Sequence, residues 1–165
     1  MTVQSKIRTV DELADLSGDL RKAGKTIVLT NGCFDLLHVG HLNYLTAAKA
    51  LGDVLIVAIN TDGSMRRIKG EKRPLNTEAD RMQMLAGLSC VDFVTSFDEP
   101  DPYLLITRIR PDILVKGGDW EIGQIIGRDF VEQQGGRVVS IPLTAGRSTS
   151  RMIERILALY GPDHQ

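Results

Sequence analysis

The sequence predicts an α/β domain in which helices cover both faces of a doubly wound, parallel, five-stranded sheet. Short apolar runs rich in β-branched residues recur along the chain, at 26–30, 54–59, 91–97, 113–115 and 138–141. Segments with helical spacing of apolar residues separate these runs. Strands that alternate with helices form parallel sheets whose two faces are both buried. We therefore expect five parallel strands in a single domain.

The helices are predicted by their capping residues. Thr9 and Glu12 have the spacing of a capping box, and Gly24 suits the end of that first helix. Thr77 begins a helix after the second strand, and Pro102 lies near the first turn of the next one. We divide the chain into an N-terminal helical segment at 1–24, the α/β domain at 25–160 and a tail at 161–165.

Two more helices are predicted nearer to the C-terminus. The first ends at the glycines 135–136 and carries four apolar residues, Ile125, Ile126, Phe130 and Val131. The last begins at the hydroxyl side chains of 148–150, which are typical N-cap residues. Its inner face is expected to consist of Met152, Ile153, Ile156 and Leu157.

Size and charge limit the classes of function. The chain has 165 residues, enough for one domain with a sizeable core. Its 20 Lys and Arg against 21 Asp and Glu give a formal net charge of −1, so no global field favours nucleic acid or an anionic membrane. No apolar run approaches the ~20 residues that span a bilayer, and the N-terminus lacks a signal-peptide core. We expect a cytoplasmic protein that binds neither nucleic acid nor membrane.

The motif after the first strand carries the clearest functional signal. Residues 32–41 read Gly-Cys-Phe-Asp-Leu-Leu-His-Val-Gly-His. A helix that begins near Gly40 has free N–H groups and a positive dipole end that attract an anion. His38 and His41 then face one point, and each imidazole can donate a hydrogen bond to phosphate. A zinc pair is the alternative, but no third ligand is evident. Asp35 is either a contact to metal-bound water or a turn residue.

A basic segment follows the second strand. Residues 66–73 hold five cations in eight positions. We interpret them as a loop on the ligand-binding side of the sheet, where Lys69 and Lys72 bind a phosphate. A solvated surface loop is the alternative. Arg81, in the following helix, either reaches the same site or joins a surface ion pair.

Two later segments extend the predicted anion site. Lys116 and Gly117 follow the fourth strand, beside the first strand at the point where strand order reverses and ligands bind. Gly117 would let a ligand approach the backbone, and Lys116 would bind a phosphate. Arg147 precedes the helix start at 148–150, whose N–H groups and hydroxyls would bind a terminal phosphate even while the hydroxyls cap the helix.

Taken together, these motifs resemble the HxGH nucleotidyltransferase superfamily of Rossmann-like cytidylyl- and adenylyltransferases. The resemblance runs from about 25 to 157 and is carried by 30–41, 73–76, 81–82, 91–92, 115–120 and 146–150. The Lys-Gly-Gly-Asp-Trp stretch at 116–120 makes the chain most similar to the heptose 1-phosphate adenylyltransferases, which make ADP-heptose for lipopolysaccharide core. The glycerol-3-phosphate cytidylyltransferases have an arginine where this chain has Leu143, which argues against that branch.

The resemblance implies a reaction and a set of site residues. ATP carrying Mg²⁺ would give its adenylyl group to D-glycero-β-D-manno-heptose 1-phosphate, with no metal site on the protein and no side-chain nucleophile. The catalytic residues would be His38, His41 and Lys69. The nucleotide would be bound by Thr30, Asn31, Gly32, Cys33, Phe34, Gly40, Lys116, Gly117, Asp119, Arg147, Ser148, Thr149 and Ser150. The sugar phosphate would be bound by Lys69, Lys72 and Arg81.

Two alternatives to this activity stay open. The chain could be a cytidylyltransferase acting on a polyol phosphate such as glycerol 3-phosphate, or a nucleotide-binding module without catalytic activity. The family often occurs fused to a sugar kinase, for which 165 residues leave no room, so we expect a stand-alone form similar to the C-terminal domain of the fused enzymes. The resemblance also implies a homodimer.

Overall fold

The computed structural model describes residues 1–118 and 121–161, and it contains the predicted sheet. The five strands are β1 (Ile27–Gly32), β2 (Val54–Asn60), β3 (Phe93–Phe97), β4 (Ile113–Gly117) and β5 (Arg137–Ile141). They are parallel in the order β3-β2-β1-β4-β5. Leu29 of β1 pairs with Ile56 on one side and with Leu114 on the other. The predicted doubly wound α/β fold is confirmed, and the strand order reverses between β1 and β4.

Helices connect the strands of the described chain. They are α1 (Val3–Lys6), α2 (Val10–Lys22), α3 (Val39–Lys49), α4 (Asp62–Lys69), α5 (Glu78–Ala86), α6 (Tyr103–Ile109), α7 (Arg128–Gln133) and α8 (Thr149–Tyr160), with one 3-10 turn at Ile122–Gln124. The capping box of α2 is present, because Glu12 N donates to Thr9 Oγ1 and Thr9 N donates to the Glu12 carboxylate. In the part of the chain described, no helix combines the length and apolar character needed to cross a membrane.

The sheet separates two apolar layers. One contains Leu13 of α2, Leu29 of β1 and Ile106 of α6. The other contains Leu45 of α3 and Leu85 of α5. Every residue of β2 is buried, as expected for a central strand covered on both faces. This packing holds the carboxyl ends of β1 and β4 in fixed positions, and the loops that follow them carry the predicted site.

The basic segment is partly helical rather than a loop. Helix α4 extends through Lys69, and its N-cap Thr61 accepts a hydrogen bond from Ser64 N at 3.0 Å. It ends at Gly70, whose φ of 91° lies in the left-handed region that glycine adopts readily. The charge pattern of 66–73 predicts a loop, whereas the N-cap and the first turn of α4 lie before it in the sequence.

Two C-terminal helices also differ from the prediction. Helix α7 begins only after Gly127 and so excludes Ile125 and Ile126. No residue of α8 is buried. Of its expected inner face, Met152 and Ile153 are half-buried, whereas Ile156 is 51% and Leu157 61% exposed. Amphipathic spacing predicts that a helix has an apolar face, but it does not tell whether the same chain covers that face.

Candidate active site

Two stacked imidazoles lie where β1 leads into α3. His38 is the N-cap of α3, and its ring centroid is 3.9 Å from that of His41 with an interplanar angle of 21°. The Phe34 ring packs at 5.3 Å against His41 on a backbone with a positive φ of 46°. A Cβ on Gly40 would lie 2.9 Å from His38 Nδ1, so only glycine lets the His38 ring pack this closely. The two histidines meet as the motif predicts.

The surroundings of the two rings keep them uncharged at neutral pH. Burial and the neighbouring His38 lower the pKa of His41 to about 4. Burial and the charge of Arg147 also lower the pKa of His38. The backbone N–H of His38 donates to His41 Nδ1 at 3.4 Å, which places the proton of neutral His41 on Nε2. His41 can therefore donate one hydrogen bond, from Nε2.

Lys116 links the two strands at the point where the strand order reverses. Its Nζ, at the end of β4, donates to Asn31 Oδ1 at the end of β1 over 2.7 Å. Burial lowers the pKa of Lys116 to about 8. An ammonium group with a depressed pKa is stabilised when a phosphate binds beside it. Lys116 and Asn31 thus lie together, as predicted, at the carboxyl edge of the sheet.

The side chain of Thr30 is not available to a nucleotide. It is fully buried, and its Oγ1 lies 2.5 Å from Tyr44 Oη. Tyr44 in turn donates to the Val115 carbonyl oxygen at 3.3 Å, so Thr30 is the donor to Tyr44. A Cβ on Gly117 would lie 3.1 Å from the Tyr44 ring. The Thr30 hydroxyl thus braces β1 against α3 and β4, and Gly117 makes room for Tyr44; that these two residues bind the nucleotide stays a prediction.

The start of α8 lies beside the histidines. Ser148 is the N-cap and accepts a hydrogen bond from Arg151 N at 3.2 Å. Thr149 Oγ1 donates to the Leu36 carbonyl oxygen in the histidine motif at 3.3 Å. Arg147 Cβ is 3.3 Å from the position of a Cβ on Gly40. Ser150 is exposed on the first turn. The predicted phosphate-binding helix start therefore adjoins the imidazole pair.

A cleft of about 790 Å³ separates His38 from α8. Arg147, Arg151 and Arg155 line it together with Glu154. Arg151 and Arg155 are four residues apart on α8, which puts them on one side of the helix, and Arg147 directly precedes the N-cap. The sequence reasoning missed Arg151 and Arg155, although this spacing after Arg147 was readable from the sequence.

Lys69 of the basic segment acts electrostatically on the loop after β1. Burial raises the pKa of the Cys33 thiol, and the charge of Lys69 opposes this rise, so the ammonium group acts on the loop after β1. A negative charge on the same thiol raises the pKa of Lys116, against the larger effect of burial. Lys72 is exposed on the turn after α4. Gly32 lies at the end of β1, where a Cβ would be 3.0 Å from the Phe34 ring.

Arg81 is a buried structural residue rather than a phosphate ligand. It is 1% exposed. Its guanidinium donates to the carbonyl oxygens of Cys33, Asn60 and Asn76 and to the Asp62 carboxylate, at 2.7 to 3.2 Å. Four of its five N–H groups are thus directed at the protein itself. We withdraw the predicted contact with the sugar phosphate.

The carboxylates near the histidine motif differ in their availability to a ligand. Asp35 is buried and bonded to N–H groups of the segment at 73–76. Within 1–118 and 121–161, no three His, Cys, Asp or Glu side chains come together in a way that could hold a metal ion. Asp119, predicted to bind the nucleotide, lies outside the described residues.

Comparisons with known proteins agree on one family. The cytidylyltransferase-like family matches residues 29–141, from β1 through β5. The chain is 54% identical over 156 residues to the bifunctional protein HldE of Citrifermentans bemidjiense, covering 94% of this chain and 32% of that protein. It is 53% identical over 139 residues to HldE of Coxiella burnetii, covering 84% and 29%. The chain therefore spans about a third of the length of these curated relatives.

Solved structures show the same fold. A lipopolysaccharide core biosynthesis protein from Thermoplasma volcanium superposes with a TM-score of 0.61 at 28% identity, covering 73% of this chain and 98% of that one. A pantoate-beta-alanine ligase from Francisella tularensis, complexed with beta-gamma ATP and beta-alanine, superposes with a TM-score of 0.57 at 18% identity, covering 87% and 68%. At that identity the second likeness concerns the fold alone.

Proposed function

Because the chain belongs to the cytidylyltransferase-like family, we propose that it transfers the adenylyl group of ATP to D-glycero-β-D-manno-heptose 1-phosphate and releases pyrophosphate. The observation that carries this proposal is the stacked pair His38 and His41, which adjoins a cleft lined by arginines. Imidazole donors, helix N-termini and cations are the groups that stabilise charge during transfer of a phosphoryl group.

The choice of nucleotide and sugar rests on sequence. The stretch at 116–120 resembles the heptose 1-phosphate adenylyltransferases, and Leu143 replaces the arginine of the cytidylyl branch. The likeness to HldE proteins and to a lipopolysaccharide core biosynthesis protein supports a product used in lipopolysaccharide core. We expect this reaction to take place in the cytoplasm, where ATP is available.

The chemistry requires positioning rather than a covalent intermediate. An oxygen of the sugar phosphate attacks the α-phosphorus of ATP, a new P–O bond forms, and the bond to the oxygen bridging to the β-phosphorus breaks. His41 Nε2 and His38 donate to the phosphates around the breaking bond. The backbone N–H groups of Cys33 and Phe34 hold the α-phosphate. Gly32 and Gly40 contribute backbone next to the nucleotide, and their missing side chains make room for the rings of Phe34 and His38.

Two groups of cations bind the two substrates. Lys116 and the helix start formed by Arg147, Ser148, Thr149 and Ser150 bind the nucleotide phosphates. Lys69 and Lys72 bind the sugar phosphate. Arg151 and Arg155 line the same cleft as Arg147 and add positive charge where the triphosphate would lie.

Mg²⁺ fits this site as a partner of the ATP. The ion prefers oxygen ligands and is usually held by phosphates together with one or two carboxylates. Asp35 is fully occupied by N–H donors, whereas Glu154 lines the cleft beside the arginines. Phosphate oxygens would therefore hold the ion, with Glu154 as the available carboxylate, and it would neutralise charge on the leaving pyrophosphate.

We also propose a homodimer. The support is the apolar surface of α8, where Ile156, Leu157, Leu159 and Tyr160 are all more than half exposed. Contiguous exposed apolar surface of this kind is typical of protein interfaces.

Pyrophosphate release tests the proposed activity. The protein is incubated with ATP and the β-anomer of the heptose 1-phosphate, and in parallel with CTP and glycerol 3-phosphate. We expect pyrophosphate and ADP-heptose from the first pair only. Turnover of the second pair would support the cytidylyltransferase, and ATP binding without any release of pyrophosphate would indicate a module without catalytic activity.

A further inference from the structure

A buried carboxylate joins the histidine motif to the basic segment. The Asp35 side chain is fully buried, although it lies in the loop between β1 and α3. It accepts hydrogen bonds from Arg73 Nε at 2.6 Å and from the backbone N–H groups of Leu75 and Asn76 at 2.9 Å. Asn76 Nδ2 donates back to the Asp35 carbonyl oxygen at 2.8 Å.

Arg81 completes a closed network beneath this junction. Its Nε donates to the Asn76 carbonyl oxygen, and its Nη1 donates to that of Cys33. Its Nη2 contacts Asp62 at the start of α4. The loop after β1, the start of α4 and the segment at 73–76 are thereby held to one another through two buried charged side chains.

Asp35 carries a charge that these contacts require. Burial alone would raise the pKa of its carboxyl group. The hydrogen bonds from the N–H groups of Asn76 and Leu75 and from Arg73 outweigh this effect and hold its pKa below the ordinary value. A neutral amide in the same place would turn an N–H group toward another N–H group, so the substitution of Asp35 by Asn removes attraction and adds repulsion.

The network determines where Lys69 and Lys72 lie. Both are exposed, and they sit in the short stretch between the Asp62 contact of Arg81 and the residues bound by Asp35. We propose that Asp35 is a positioning residue for the acceptor substrate, which keeps the cations at 69–72 directed at the sugar phosphate next to the histidines. This inference rests on the proposed function and adds to it a residue that touches neither substrate.

We expect substitution of Asp35 to weaken binding of the sugar phosphate selectively. Asp35→Asn should raise the KM for the heptose 1-phosphate about tenfold or more, because even a small displacement of Lys69 and Lys72 weakens their contact with the sugar phosphate. The KM for ATP should change less than about twofold. Asn76→Ala breaks only the bond to the Asp35 carbonyl oxygen. It should also raise the KM for the heptose 1-phosphate, but by less than Asp35→Asn does.

Asp11→Asn is the matched control. It removes an Asp–Arg pair of the same chemistry, since Asp11 of α2 pairs with Arg108 of α6, but this pair is exposed to solvent and lies outside the basic segment. It should leave both KM values within about twofold, as expected for an exposed ion pair. Hydrogen exchange of the Leu75 and Asn76 amides should accelerate in Asp35→Asn and not in Asp11→Asn.

A double substitution separates positioning from general damage. If Asp35 acts through Lys69, adding Asp35→Asn to Lys69→Ala should cost much less in kcat/KM for the sugar phosphate than it costs alone. Equal losses for ATP and sugar phosphate, full additivity with Lys69→Ala, or unchanged amide exchange would each overturn the inference. Absence of pyrophosphate release by the unsubstituted protein would instead overturn the proposed function, and the inference with it.

Discussion

At the residue scale, burial sets the charge that each site group carries. The imidazoles of His38 and His41 are neutral at pH 7, because both pKa values lie below the ordinary value. Lys116 is protonated for the most part, but its pKa of about 8 is close to neutrality. The free site is thus less positively charged than its residue types suggest, and bound phosphates would raise all three pKa values.

Loss of the His41 donor should slow the chemical step. We expect His41→Ala to reduce kcat by on the order of 10² to 10³, the usual effect of removing one donor that stabilises a transition state. Steady-state kinetics with circular dichroism as a folding control measures this. A variant with unchanged kcat would exclude His41 from the mechanism.

Alkaline pH should weaken ATP binding through Lys116. Its pKa of about 8 means that the ammonium group is present below pH 8 and lost above it, so affinity for ATP should fall between pH 7 and 9. Calorimetric titrations across this range measure the change. Lys116→Met should bind ATP more weakly at pH 7 and show little further change, whereas an unaltered pH profile in this variant would contradict the assignment.

At the element scale, helix termini bring separate segments to one place. The first turns of α3 and α8 meet through the contacts of Thr149 with Leu36 and of Arg147 with Gly40. Lys69, in the C-terminal turn of α4, acts electrostatically on Cys33 in the loop after β1. Two helix N-termini therefore adjoin the imidazole pair, and each follows a different strand end.

Lys69→Ala should affect the sugar phosphate more than ATP. Its charge acts on the loop after β1, and it belongs to α4 rather than to the helix start proposed to bind the nucleotide, so we expect a larger rise in KM for the sugar phosphate. Arg66→Ala, at an exposed position of the same helix, is the control. Equal rises in both KM values for Lys69→Ala would show that the lysine does not distinguish the substrates.

Leu157→Glu should convert the proposed dimer into a monomer. Leu157 is 61% exposed on α8, so a charge there would disrupt an intermolecular contact with little effect on the fold. Light scattering measures the mass of both forms. Leu104→Glu, at a 56% exposed leucine of α6, should leave the dimer intact. A dimer that persists in Leu157→Glu would place the interface elsewhere.

At the scale of the whole molecule, one sheet supports both the stability and the site. Its two apolar layers pack helices onto each face, and β1 takes part in both through Leu29 and Val28. The N-terminal segment joins the same core through Leu13, which is fully buried. The division at 24 into segment and domain stays a prediction.

Truncation of a central core residue should lower stability globally. Leu29 is fully buried in β1, and Leu29→Ala should reduce the free energy of unfolding by about 2–5 kcal/mol. Urea denaturation followed by circular dichroism measures the loss. Leu42→Ala, at a leucine of α3 that is 44% exposed, should cost much less. Comparable losses for the two would contradict the description of the core.

The sequence by itself determined the elements of this protein. The apolar runs located all five strands, Thr9 and Glu12 marked the start of α2, and the spacing of His38 and His41 brought the two rings to one point. These are local properties, since periodicity, capping and i to i+3 geometry depend on residues close in the chain.

Only the tertiary structure decided how the polar side chains are used. Thr30 and Arg81 have the residue types of ligands, yet both are buried and bonded to the protein itself. The apolar face of α8 is exposed, although its spacing suits a core. In each case the answer depends on which distant segment packs against the residue, and no local pattern contains that information.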